Sequence, residues 1–303
     1  MTKLTIGTRA SRLALWQTRH IADLLVAAWP GLECRIEHFS TAGDRIIDRP
    51  LPEIGGKGLF TAELEMALRD GAIDLAVHSL KDLPVEDAPG LALGAIVGRA
   101  DVRDALVTSD NRELAALPQG AIVGTSSLRR QAQLLADQPG LDIRSIRGNV
   151  ETRVNKVLSG EYDAAVLAVA GMTRLGLDDR IGQILPLAIM LPAPGQGALA
   201  VQCRVDDEET GRLLASIESV GVRTCITAER VFLRALGGGC ATPVAAYVQM
   251  DGDSLCLEGL VAATDVRRII RLQARGVDPL ALGEELARRA IEQGAREILD
   301  NAE

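Results

Sequence analysis

Arginines stand in this sequence where helices disfavour them. Arg129 and Arg130 fall in the first turn of a helical pattern whose cap is Ser126 or Ser127 and whose apolar stripe is Leu128, Ala132 and Leu135. Positive charge there opposes the helix dipole, at about 0.3 to 1 kcal/mol for each exposed cation. Arg9 and Arg12 repeat the arrangement before the first helix, Arg153 repeats it after Gly148-Asn149, and Arg147 and Arg174 stand at further strand-to-helix junctions. One such arginine is an ordinary surface residue. A set of them is different, because open α/β sheets gather strand carboxyl ends and helix N-termini at one edge, where ligands bind. Guanidinium forks, serine hydroxyls and free backbone N–H groups at such an edge hold several anions at once. Arginine in place of lysine favours planar carboxylate or phosphate groups. The chemistry implied is recognition of a polyanionic small molecule.

A carboxylate accompanies these cations. The run Ile73-Asp-Leu-Ala-Val-His78 leads into Ser79-Leu-Lys-Asp-Leu-Pro84, which sets Lys81 and Asp82 in a turn at a strand's carboxyl end. Among arginines Asp82 stays ionised and can stabilise a cation or handle a proton on nitrogen. The plain alternative is an ordinary Lys-Asp turn before proline. His78, on an apolar strand, reads as a core histidine with its polar atoms satisfied. No Ser-His-Asp or metal-ligand spacing appears. Gly55-Gly-Lys-Gly58 lacks the Ser or Thr and the preceding strand of a nucleotide P-loop, so the stretch 48–58 reads as a loop over a cleft. Cys240 lies in Leu236-Gly-Gly-Gly-Cys-Ala-Thr-Pro243, either as a small buried apolar residue or as a thiol with open access.

The elements that must position these residues follow from periodicity. The chain has 303 residues, enough for two or three domains, and 47% of them are apolar. No apolar run is long enough to cross a bilayer. Five widely spaced cysteines without a C-x-x-C pair argue against disulfides or zinc. A net charge of -8 with 2% aromatic residues excludes the usual nucleic-acid binders. No leader segment is visible at the N-terminus, so a cytoplasmic protein is expected. Up to about residue 200, strands alternate with helices. Expected strands are Leu4 to Thr8, Ile73 to His78, Ala121 to Thr125, Ile143 to Arg147, Ala164 to Val169 and Ala198 to Cys203. The first helix follows Ser11, carries Ala14, Ile21, Leu24, Leu25 and Ala28 on its apolar face, and stops at Trp29-Pro30-Gly31. Ile6-Gly-Thr-Arg-Ala-Ser and Val123-Gly-Thr-Ser-Ser resemble each other, which suggests two related α/β lobes. From about 220 the pattern becomes a helix from Thr224 to Leu236, runs divided by an Asp251-Gly-Asp turn, and a helix from Pro279, a small antiparallel α+β domain.

These motifs, in this order, resemble the porphobilinogen deaminase (hydroxymethylbilane synthase) family over nearly the whole chain. The resemblance is carried by Gly7-Thr-Arg-Ala-Ser with Leu13-Ala-Leu-Trp-Gln17, Thr41-Ala-Gly-Asp44, Gly55-Gly-Lys-Gly-Leu-Phe60, and Ala76-Val-His-Ser-Leu-Lys-Asp-Leu-Pro84. Val123-Gly-Thr-Ser-Ser-Leu-Arg-Arg130, Ile146-Arg-Gly-Asn149 and Ala228-Glu-Arg230 leading to Gly238-Gly-Cys240 complete it. Arg12 stands where many members have proline.

The resemblance implies two type II periplasmic-binding-protein-like α/β lobes and a small C-terminal α+β domain with a three-stranded antiparallel sheet. Domain 1 would span 1–98 and 198–217, domain 2 99–197 with hinges near 98–103 and 191–197, and domain 3 218–303. It implies a transferase that condenses four porphobilinogen molecules head to tail on a covalent dipyrromethane, releases ammonia at each step, and then hydrolyses off the linear tetrapyrrole. Asp82 resembles the catalytic carboxylate, and Cys240 the thioether attachment of the cofactor. Lys81, Asp82, Thr125, Ser126, Ser127, Arg129, Arg130, Arg147 and Gly148 resemble the cofactor site. Arg9, Ser11, Gln17, Arg147, Arg153, Arg174 and Gln196 resemble substrate binders, and Lys57 and Phe60 a lid. A monomer with no metal, nucleic-acid or membrane partner is expected. The competing class is a non-catalytic two-lobed anion-binding protein, which needs neither Asp82 nor Cys240.

Overall fold

The computed structural model describes residues 3–45, 58–239, 242–264 and 268–300. In chain order the first elements are β1 (Lys3–Arg9), α1 (Arg12–Ala28), β2 (Glu33–Phe39), α2 (Ala42–Arg45), α3 (Ala62–Arg69), β3 (Leu75–Ser79) and β4 (Leu91–Arg99). Next come β5 (Asp104–Thr108), β6 (Ile122–Gly124), α4 (Leu128–Asp137), β7 (Asp142–Arg144), α5 (Val150–Leu158), β8 (Ala164–Ala168), α6 (Val169–Arg174) and β9 (Gln183–Ile184). The chain continues through β10 (Ala198–Arg204), α7 (Glu208–Ala215) and α8 (Val220–Ala235), then β11 (Val244–Asp251), β12 (Ser254–Ala262), β13 (Ile269–Gly276), α9 (Pro279–Glu292) and α10 (Ala295–Asp300).

The described residues fall into two compact units, one holding 3–45, 58–100 and 197–223, the other the remainder. In the first, five strands lie in the order β2-β1-β3-β10-β4. β1 runs parallel to β2 and β3, and β10, formed when the chain returns, is antiparallel to both neighbours. One face is closed by Ile21 and Leu25 of α1 with Leu213 and Leu214 of α7. The other is closed by Leu64 and Leu68 of α3.

The second unit repeats the arrangement as β7-β6-β8-β5-β9, with β6 parallel to β7 and β8 and β5 antiparallel. This strand order, with one reversed strand inside each sheet, is the type II two-lobe α/β pattern, and the resembling motifs near Gly7 and Gly124 occupy equivalent strands. The same unit contains the three-stranded antiparallel sheet β11-β12-β13, whose Ala245, Leu260 and Ala262 pack with Ala132 of α4 and with Leu191. Arg271 donates to the carbonyls of Leu187 and Ala188, adding a polar rim to that contact.

Local expectations differ in places. Strand β7 stops at Arg144, so Ile146 and Arg147 lie in the following loop. The reason is the Ser126 hydroxyl, which accepts from Ile146 N (3.2 Å), donates to Ile146 O (2.8 Å) and so replaces ladder partners. Ala28 is exposed, because α1 ends where its apolar face leaves the sheet. The helix expected from Thr224 begins at Val220, one turn earlier.

Candidate functional site

Two strand-to-helix turns carry most of the chemistry, and each belongs to one sheet. In the first unit β1 delivers Thr8 and Arg9, and Ser11 caps α1 by accepting from Ala14 N at 3.3 Å. The Arg9 guanidinium is held side-on by Asp44: Nε lies 3.2 and 3.1 Å from the two carboxylate oxygens, and Nη2 closes a further short contact to Oδ1. Thr41 steadies the acceptor through its hydroxyl, 2.8 Å from Asp44 Oδ2. The Phe60 ring lies under the guanidinium, 4.4 Å from Cζ to centroid. Gly43 makes room for that ring, since a Cβ there would come within 2.1 Å of it. Burial alone would raise the Asp44 carboxyl, but the hydrogen bonds from Arg9 and Thr41 outweigh it and hold the group below its ordinary value.

On the neighbouring strand β3, Gln17 Nε2 donates to Ser79 Oγ at 2.8 Å. A single 3-10 turn, Leu80–Asp82, then carries Lys81 and an exposed Asp82 past the strand's carboxyl end. His78 is 6% exposed, and desolvation, helped by Arg9 and partly offset by Gln202, lowers its pKa to about 4. It is a core histidine as expected, but neither its Nε2 nor Gln202 Oε1 finds a hydrogen-bond partner among the described residues.

In the second unit β6 leads into buried Thr125, and Ser127 caps α4 by accepting from Arg130 N. Ser126 ties the end of β6 to the loop after β7, which carries Arg147 and Gly148. Asn149 caps α5, and Arg153 Nε donates to Gly148 O at 2.8 Å. Arg174 closes α6. Desolvation lowers Arg147 and brings Arg174 down to about 10, the behaviour of cations turned away from bulk water.

Arg129 and Arg130 turn inward. Each places Nη2 on one oxygen of Asp104, at 2.9 and 2.7 Å, and Nη1 on a carbonyl, Leu191 for Arg129 (2.6 Å) and Val166 for Arg130 (2.9 Å). Gln196 Nε2 donates to the same carboxylate at 2.8 Å and to Val102 O at 2.7 Å. Asp104 and Gln196 are fully buried. Burial, reinforced by Arg130, pushes Arg129 below the ordinary arginine value despite Asp104. Asp104, for Arg129 and Arg130, and Asp44, for Arg9, are the anions that orient these arginines, a part that the spacing of charged residues alone does not assign to them. The signal for Asp104 was an acidic residue opening an otherwise apolar strand, and for Asp44 its place in the Thr41-to-Asp44 motif.

Lys57 and Cys240 lie outside the described residues. Upstream of Cys240 in the sequence, α8 carries the buried Glu229, which accepts from Gly195 N (2.8 Å) and Val248 N (2.9 Å). Gly238 is packed closely, since a Cβ there would meet Leu233 at 2.6 Å, while Gly237 and Gly239 stand in open space. After the cysteine, Thr242 bonds back to Gly239 O through its hydroxyl at 2.7 Å.

Two family models match the chain: "Porphobilinogen deaminase, dipyromethane cofactor binding domain" over residues 4–212, and "Porphobilinogen deaminase, C-terminal domain" over 223–292. A protein named porphobilinogen deaminase from Roseiflexus sp. (strain RS-1) is 51% identical over 297 residues, 98% of either chain. One from Brevibacillus brevis is 46% identical, covering 99% of this chain and 97% of its own. One from Bordetella parapertussis is 50% identical, covering 98% and 95%.

Proposed function

The chain belongs to the porphobilinogen deaminase family and is a transferase with a dipyrromethane cofactor, and from that premise we propose roles for its individual residues. Asp82 is the catalytic carboxylate. Exposed at the end of β3 beside Lys81, it can stabilise the positive charge that develops as ammonia leaves porphobilinogen, and can take and return the pyrrole proton. Arg9, Ser11, Gln17, Arg153 and Arg174 bind the acetate and propionate groups of incoming substrate. Lys81, Thr125, Ser126, Ser127, Arg147 and Gly148 hold the cofactor, with Arg129 and Arg130 supplying charge beside them. Cys240 is the point of attachment. Lys57 and Phe60 belong to a lid, whose far end is Phe60 seated on Gly43 and Arg9.

The donor set suits a group bearing several carboxylates. Arg147 and Arg174 are desolvated cations, and Arg130 Nε is a buried donor without a hydrogen-bond partner among the described residues. When bound, the dipyrromethane supplies a nucleophilic pyrrole end on which a chain can grow. The observation that carries the reading is the gathering of Thr125, Ser126, Ser127, Arg147 and Gly148 around the ends of β6 and β7. A three-part organisation is part of the proposal, with domain 1 at 1–98 and 198–217, domain 2 at 99–197 and domain 3 at 218–303. Among the described residues no helix is long and apolar enough to cross a membrane. A cytoplasmic monomer that binds no nucleic acid is the state we propose.

Intact-mass measurement tests the assignment. The purified protein should exceed its sequence mass by one dipyrromethane, and Cys240→Ser should lose both that increment and turnover. A bare sequence mass in the unmutated protein, with no colour from an aldehyde reagent for pyrroles, rejects the reading. Asp82→Asn should fold normally and lose turnover, and near-normal turnover would remove Asp82 from its role.

A further inference from the structure

The node formed by Asp104, Arg129, Arg130 and Gln196 is not explained by stability. Two buried guanidiniums, 3% and 7% exposed, share one fully buried carboxylate, so the node itself carries more positive than negative charge. Well-packed apolar residues usually fold as well as buried ions or better. Location supplies a reason to keep the charges. Asp104 opens the antiparallel strand β5 and pairs with Ala168, the last residue of β8. It therefore stands at the carboxyl-end edge of the parallel strands, where Thr125 and the Arg147 loop also emerge.

The geometry also decides which donors remain. An arginine has two edges for carboxylates, the terminal Nη1/Nη2 edge and the side edge containing Nε. Arg130 spends Nη1 on Val166 O and Nη2 on Asp104, so its terminal edge faces the interior and its buried Nε remains for another acceptor. Gln196 spends both amide hydrogens inside, on Val102 O and Asp104. We propose that Asp104 is a positioning residue that sets the orientation of Arg129 and Arg130, and that Gln196 serves the reaction by aligning Asp104 rather than by touching substrate. The inference rests on the proposed function, and replaces the direct substrate contact expected for Gln196.

Asp104→Glu separates geometry from charge, because it keeps the anion and moves the carboxylate by one bond length. On a Cys240→Ser background, where no cofactor is attached, it should melt within about 5 °C of its parent. With Cys240 present it should retain no more than roughly a tenth of the dipyrromethane found in the parent by intact mass, the scale of loss that small misplacements of binding groups produce. Full occupancy in the variant overturns the proposal. Should Asp104→Glu not fold, Gln196→Met carries the test. A kcat lowered roughly tenfold with an unchanged KM supports positioning, whereas a raised KM with unchanged kcat marks a lost substrate contact and overturns it. An unmutated protein lacking the dipyrromethane mass fails the functional reading. A loaded parent together with a loaded variant fails this inference alone.

Discussion

The two sheets share one strand order and one local device, a central strand followed by a serine-capped helix, yet they use their arginines in opposite ways. In the first, Arg9 precedes the cap, stays partly exposed, and is matched one to one by Asp44 above the Phe60 ring. In the second, Arg129 and Arg130 follow the cap, are buried, and share Asp104. The difference lies in what covers each helix. α1 is buried along one side and presents a stacked Trp16–His20 pair on its exposed surface. α4 packs on its own sheet through Leu134 and on the three-stranded sheet through Ala132. Arginines in its first turn are thereby enclosed and must find partners inside. A shared motif thus specifies the capped turn, and the surroundings of the helix specify where its charges go.

The largest test of this contrast is removal of the buried carboxylate. Asp104→Asn takes from two buried guanidiniums the carboxylate they share and should cost about 3 to 5 kcal/mol of unfolding free energy in urea. Arg129→Met should cost less, because one guanidinium and one carboxylate then remain in balance. Equal losses for the two variants would show that the surplus charge is not felt, and the contrast between the sheets would be one of burial alone.

A second test uses pH. The first sheet keeps a neutral ionisable group in its core, His78, whereas the second keeps charged ones. Unfolded, a histidine takes up its proton near pH 6.5, and folded His78 does so only near 4. Between those values the unfolded state binds more protons, so stability falls as pH is lowered from 6.5 towards 4 and is restored as it rises. A depression of that size corresponds to about 3 kcal/mol at the acid end of the window. Urea midpoints at several pH values in this window should fall steadily in the unmutated protein and stay nearly level in His78→Leu. A slope that survives in His78→Leu assigns the pH dependence to another group.

What the sequence made legible was short in range. Ser11 and Ser127 as caps, β1, β8, and the helix starting at Pro279 follow from spacing and cap chemistry within a few residues. Strand β7 ran short because its competitor, the Ser126 hydroxyl, lies about twenty residues away. The inward turn of Arg129 and Arg130 was hidden for the same reason. A dipole argument treats the helix alone, while Asp104, Leu191 and Val166 arrive from three other segments. The glycines before Cys240 suggest open access, and a Cβ on Gly237 or Gly239 would meet nothing within 4 Å, whereas Gly238 lets the chain pass against Leu233. Periodicity cannot distinguish a glycine that leaves space from one that has none.

The smallest expected effect concerns the exposed half of the contrast. Arg9 and Asp44 have side chains 25% and 29% exposed, so their pairing should be worth about 0.5 to 1 kcal/mol and should weaken with salt. The Asp44 carboxyl is held below its ordinary value, so its share of stability is present above about pH 4 and is lost as pH falls through the lowered folded value. Asp44→Asn should therefore lower the urea midpoint slightly at pH 7 in dilute buffer, and the difference should shrink in 1 M salt and below pH 3. Asp104→Asn, lying beyond the reach of screening ions, should keep its full cost at either salt concentration. Should Asp44→Asn prove as costly and as insensitive to salt as Asp104→Asn, the Arg9 clamp is a buried ion pair in all but surface area, and the two sheets handle their arginines alike.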